Sequence, residues 1–243
     1  MRDLSLVSIL LLAAVVMSAQ EIPTPPRDAV TLGSSLRSGA QSTVLSWIAK
    51  QATSATGSKT DAATLDASLR TAIGTRFTGQ SVSSTQVDAL VMLVMIETVN
   101  GSIVDARSTL ARLAVVRAEK AKLRDVHTRL KQIVDSTASL KSSEPCRATP
   151  CTQLRTTLSQ LNASQTEADI PSPVVPRDAV TLGELRVALM ELDAELDSID
   201  ELDEDTALRL QALVERIAKL NAALSVLMKR VASAQSTVIS NLK

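Results

Sequence analysis

Eight prolines divide this 243-residue chain more sharply than any other feature. They fall at positions 23, 25 and 26, at 145 and 150, and at 171, 173 and 176. Proline removes a backbone donor and breaks helix interiors, so the Pro-free spans 27–144 and 177–243 are free to be long helices. The proline clusters between them read as stiff connectors.

Hydrophobic spacing inside the Pro-free spans agrees. Leu182, Leu185, Leu189, Leu192, Leu196 and Ile199 alternate three- and four-residue steps. The alternation resumes through Leu210, Leu213, Ile217, Leu220, Leu224, Leu227, Val231, Ala234 and Val238. That is an a/d seam sustained over several heptads. Val214 and Met228 widen it, which favours a bundle over a two-stranded coil. Between the two runs, Asp203 and Thr206 stand at seam positions in and just after Asp200-Glu201-Leu202-Asp203-Glu204-Asp205. Either the chain turns there, with the acids at the start of a second helix, or one long helix carries an acidic node. A lone amphipathic helix needs a partner, so the hairpin is the expectation.

The central region is helical by the same criteria. Residues 87–99 are apolar almost all round, which suits the middle of a bundle or an oligomer interface. A membrane-inserting hairpin is the rival, but the run is short for a span. Val99, Ile103, Ala106, Leu110 and Leu113 keep heptad phase, and Leu123, Val126, Leu130, Ile133 and Leu140 resume it. The break at 117–122 has the form of a stutter. Arginines and lysines from 107 to 131 make this helix basic, able to pair with the acids of 191–205 within one chain or between copies. The fold class expected is therefore all-α: a helical bundle with a C-terminal coiled-coil helical hairpin, or one long helix in its place.

Composition narrows function. One Trp, one Phe and no Tyr leave the core to Ala, Val, Leu and Ile, unlike an ordinary globular enzyme of this size. The 26 basic and 26 acidic residues cancel, so there is no global field for nucleic acid and little to stack on bases. A single His and two Cys make metal or nucleophilic catalysis hard to build; no catalytic residue, cofactor or small-molecule substrate is expected. Asp193, Glu195, Asp197 and Glu204 fit positions of a calcium-loop frame, but Ser198 replaces the turn Gly and the Leu periodicity runs through it. A solvated acidic face is the better account, with calcium binding the alternative. His127 lies among basic residues and reads as a surface side chain.

Arg2 followed by the apolar run 4–17 and Ser18-Ala19-Gln20 has the form of a cleaved signal peptide, ending after Ala19. The expected address is secreted or periplasmic, with no stable membrane span after cleavage. In that setting Cys146 and Cys151 most simply form a disulfide across a short loop, with free thiols or a redox pair as alternatives. Asn100-Gly101-Ser102 and Asn162-Ala163-Ser164 match the glycosylation acceptor pattern of a eukaryotic host.

An octapeptide occurs twice. Pro26-Arg27-Asp28-Ala29-Val30-Thr31-Leu32-Gly33 recurs unchanged as Pro176-Arg177-Asp178-Ala179-Val180-Thr181-Leu182-Gly183. A period near 150 argues for two modules rather than a solenoid. Thr181-x-x-Glu184 forms a capping box at a helix start. The repeat reads as a duplicated linker and helix start, or as a docking peptide presented twice. The resulting organisation is a signal peptide at 1–19, a Pro-rich linker at 20–33, a helical block at 34–166 with a Cys loop at 145–151, a second linker at 167–181 and the heptad hairpin at 182–243.

Residues 210–243, ending Val238-Ile239-Ser240-Asn241-Leu242-Lys243, resemble the C-terminal helix of type III secretion needle subunits. The resemblance implies self-assembly into a helical filament through that helix. The chain departs from that family in its length, its apolar leader and the absence of Pro between residues 200 and 205. From the seam itself, the expected partner is another copy of the chain or another helical protein. The seam residues are Leu210, Leu213, Ile217, Leu220, Leu224, Leu227, Val231 and Val238.

Overall fold

The computed structural model describes residues 21–58, 60–79, 82–136, 141–143 and 181–241, the last with side chains through residue 234. Five helices and no strand occur among them. In chain order these are α1 (Arg27–Ser38), α2 (Ser42–Gly57), α3 (Ala62–Arg76), α4 (Ser84–Ser136) and α5 (Leu182–Asn241). The all-α expectation holds.

Local chemistry sets where four of these helices begin. Asp61 accepts hydrogen bonds from the Ala63 and Thr64 amides, both at 3.0 Å, and so caps α3. Before α4, the Ser83 amide donates to Gln86 Oε1 (2.9 Å) and the Gln86 amide donates to Ser83 Oγ (3.2 Å). The expected capping box opens α5 in the same reciprocal way: Thr181 N–H to Glu184 Oε2 (2.8 Å), Glu184 N–H to Thr181 Oγ1 (3.3 Å). At α1 the proline itself suffices, because Pro26 already has extended backbone and its carbonyl accepts from Val30 N–H at 3.1 Å.

The helices form two compact units. Unit 1 comprises Met1–Ser108 and Leu210–Lys243, and unit 2 is Thr109–Arg209. Both units therefore draw on α4 and α5, and neither coincides with a sequence block bounded by prolines. The linker expected at 20–33 is also shorter than that, since α1 is helical from Arg27 onward.

In unit 1 the apolar run of α4 lies in the middle of the bundle. Val91, Met92, Leu93, Val94, Met95, Ile96 and Val99 are all buried, so neighbours surround the helix on every side. By length and composition α4 could cross a membrane, but 56% of its apolar window is packed inside the protein. Gly33 of α1 admits that helix closely: a Cβ there would stand 2.7 Å from Ile96 Cδ1. Gly101 does the same for α2, against Thr56 Oγ1 at 2.8 Å. Arg70 of α3 pairs with Asp88 of α4 at 2.6 Å. Arg216 of α5 donates to the terminal carbonyls of α2, at Thr56 (2.8 Å) and at Ala55. The single Trp and single Phe of the chain, Trp47 and Phe77, meet edge to face at 6.4 Å.

Unit 2 is an antiparallel pair made from the second half of α4 and the first half of α5. Its core is Val116, Leu123, Val126, Leu130 and Ile133 from α4 with Leu185, Ala188, Leu192 and Ile199 from α5. The Gly183 amide donates to the Ser142 carbonyl at 2.8 Å, and a Cβ on Gly183 would sit 3.1 Å from that oxygen. Each copy of the octapeptide thus ends on a glycine at a close approach, Gly33 in unit 1 and Gly183 in unit 2. Residues 176–180 lie outside the described residues, as do the leader expected at 1–19 and Cys146 and Cys151.

One expectation is overturned. The hairpin turn at 200–205 does not exist; α5 is a single 60-residue helix through that segment. The acids at the seam need no turn because α4 brings bases to meet them.

Candidate interaction site on the helix pair

The acidic node of α5 and the break in the apolar pattern of α4 lie at one level of unit 2. Arg117 Nε donates to Asp203 Oδ1 (3.0 Å) and Lys120 Nζ to Asp203 Oδ2 (3.1 Å). Lys120 Nζ also stands 2.7 Å from Asp200 Oδ1 as an ion pair lacking hydrogen-bond alignment. Arg124 reaches Asp200 Oδ2 at 3.5 Å. Further along, His127 Nε2 lies 2.8 Å from Asp193 Oδ1. Each step forward on α4 is a step back on α5, as an antiparallel ladder requires. The complementary pairing anticipated from charge is thus made within one chain.

Glu119 occupies the seam beside this layer and is only 5% exposed. One carboxylate oxygen takes Lys122 Nζ at 2.6 Å; the other has no partner. The stutter at 117–122 is therefore a polar layer inside a continuous helix: Glu119 and Lys120 stand where leucines would otherwise be. A buried charged layer is costly unless paired, and its best-attested use is to fix register.

The layer shapes the titration of its carboxyls. Burial alone would raise the Asp203 carboxyl, but hydrogen bonds from Arg117 and Lys120, together with their charges, outweigh it and hold it below the usual range. Glu195 is pushed the other way by burial, and its Oε1 has no partner. His127 is half-buried rather than a free surface side chain. Its partner Asp193 is 66 positions away in sequence, beyond the reach of local reading; its seven-residue spacing from Lys120 was the available signal.

The C-terminal seam is already occupied. Leu210, Ile217, Leu220, Leu224, Leu227 and Val231 are buried in the single chain, with Leu213 partly so. This stripe is covered within unit 1 itself, where Arg216 meets the end of α2 and Leu227 lies beside Ala62 of α3 and Met95 of α4. The side chain of Val238 lies outside the described residues. The calcium-frame residues 193–204 lie wholly within α5, whereas a calcium loop must wrap around its ion. Among the described residues no group of three or more His, Cys, Asp or Glu side chains gathers as a metal site.

Unpartnered apolar surface lies instead on the backs of the paired helices. Met190 is 72% exposed, Leu208 58% and Val187 52%. With Ala194, Asp197, Glu201 and Glu204 they form one stripe on α5 in alternating three- and four-residue steps, every member exposed. On α4 the corresponding outer stripe is Ala111, Ala114, Ala118 and Ala121, also exposed, edged by exposed Leu110 and Val115. Unit 1 also holds a cavity of about 270 Å³ lined mainly by Ala62, Met95, Ala223 and Leu227, with Asp66 and Arg230 at its polar side.

No family model, curated protein or solved structure matches this chain.

Proposed function

We propose that this chain is an exported, non-enzymatic structural protein that holds other helices, its own copies among them, against coiled-coil faces of its helix pair. The observation that carries this reading is the heptad-spaced outer stripe of α5. It places three large apolar side chains in solvent although the inner seam is filled. Apolar area left in water favours a partner by roughly 25 cal/mol per Å², and an amphipathic helix is the partner whose side chains fit heptad spacing. Export rests on the leader at 1–19, and a bond between Cys146 and Cys151 belongs to the same setting. A filament-forming role, as the needle-like tail implies, would have to use a face other than the occupied seam.

Two measurements test the proposal. Fractionation with N-terminal sequencing should find the mature chain outside the cytoplasm beginning at Gln20; an intact Met1 on a cytoplasmic protein would contradict export. Light scattering on the purified mature chain should show mass rising with concentration. A strictly monomeric chain that captures no helical partner would contradict the interaction role.

A further inference from the structure

We infer that the outer faces of α4 and α5 in unit 2 are the two complementary halves of one contact between copies of this chain. The inference rests on the self-association reading above and names the surfaces that perform it.

The α4 half is an alanine stripe, Ala111, Ala114, Ala118 and Ala121, spaced three, four and three residues apart. Alanine lets a second helix axis come near, and larger apolar residues on its borders, Leu110 and Val115, extend the patch. The same borders carry Arg117, Lys122 and Arg124, each of which meets an acid of its own chain and still keeps much of its side chain in solvent. The α5 half is longer and differs in kind. Its knobs are Val187, Met190 and Leu208, and between them stand Asp197, Glu201 and Glu204. These three carboxylates have no ion-pair partner among the described residues.

Knobs on one face and small residues on the other are complementary in shape, and the unpaired acids of α5 would face the solvent-exposed sides of the α4 bases. A second copy is the occupant that supplies both in equal number. The chain already pairs α4 bases with α5 acids in an antiparallel ladder on the inner side, and the outer faces carry the same polarity of charge. Like-with-like pairing is disfavoured, because two α5 backs would oppose six carboxylates and two α4 backs would oppose their bases. The contact is therefore heterologous: the α4 back of one copy receives the α5 back of the next. Such a contact leaves a free half at each end and propagates unless its geometry closes into a ring.

The test uses the full mature chain and two double variants at exposed positions, where strong helix formers replace the native residues. Ala114→Gln with Ala118→Gln fills the close approach on α4. Glu201→Lys with Glu204→Lys sets bases against bases on α5. Mass against concentration is measured by analytical ultracentrifugation, with helicity checked by circular dichroism. Each double variant alone should associate about tenfold more weakly or worse than wild type. An equimolar mixture of the two should form a one-to-one pair and nothing larger, since each retains the half that the other has lost. Raised salt should weaken wild-type association. If either double variant loses helicity, the single exposed Met190→Gln is read in its place with the same expected weakening. Wild type that associates while the variants keep its mass would overturn this inference and leave self-association standing on another surface. A mixture that stays monomeric would overturn the heterologous pairing. A wild type monomeric at every concentration would overturn both.

Discussion

Leu224→Ala separates a seam that builds the fold from a seam that builds an oligomer. Leu224 is 0% exposed in the single chain, flanked along the stripe by the buried Leu220 and Leu227. Truncation removes most of the buried side chain and leaves a void that the other helices of unit 1 fill only in part. Substitutions of this kind cost about 2–5 kcal/mol, a large share of the roughly 5–15 kcal/mol that holds a domain folded. At about 2–4 °C per kcal/mol for a chain of this size, the melting midpoint should fall by about 4–20 °C. The assay is thermal unfolding followed by far-ultraviolet circular dichroism at two widely separated protein concentrations. Because the covering groups belong to the same chain, the drop should be the same at both. Met190→Ala removes a side chain of similar size from the outer stripe and, at low concentration, should change stability by no more than about 0.5 kcal/mol. Two results would refute the reasoning: a Leu224→Ala loss as small as that of Met190→Ala, or a loss that depends on protein concentration in the way subunit dissociation does.

Asp203 has a lowered carboxyl pKa, so its contribution is fully present above the usual carboxylate range and disappears as pH falls through the lowered value; Asp203→Asn should flatten that part of an acid-unfolding curve. Glu195 has the opposite sign: burial raises it, so ionising it opposes folding as pH rises, and Glu195→Gln should raise the melting temperature at neutral pH with the advantage gone in strong acid. Thr181→Ala removes half of the capping box and should cost about 0.5–2 kcal/mol, read as earlier exchange of the first-turn amides of α5. Thiol labelling with intact mass on exported protein should find Cys146 and Cys151 bonded to each other, with helicity surviving reduction because the closed loop is short.

What can be read from sequence follows the range of the interactions. The capping box at Thr181 and Glu184 spans three residues and is legible outright. So is the enclosed run 91–96, because a helix apolar on all sides has few places to go. The acidic interruption of α5 imitates a turn because its neutralising partners, Arg117 and Lys120, lie more than eighty positions away. Read alone, Asp203 in a leucine seam is a defect; opposite Lys120 it is half of a layer. The break at 117–122 on α4 is the other half, visible in the sequence, but nothing local shows that the two breaks face each other. The C-terminal seam teaches the same lesson. Heptad spacing shows that Ile217 and the seam residues after it must be covered, yet not whether the cover comes from the same chain. Proline clusters mark where helices begin, but both compact units share α4 and α5, so no local composition shift marks the boundary between them.

That the outer faces of the helix pair bring copies of this chain together is tested most directly by sedimentation equilibrium. The purified chain is measured from low to high micromolar concentration and at two salt concentrations. The average mass should rise with concentration, and rise less when salt is high. A single monomer mass across the whole range at both salt concentrations would contradict the contact between copies.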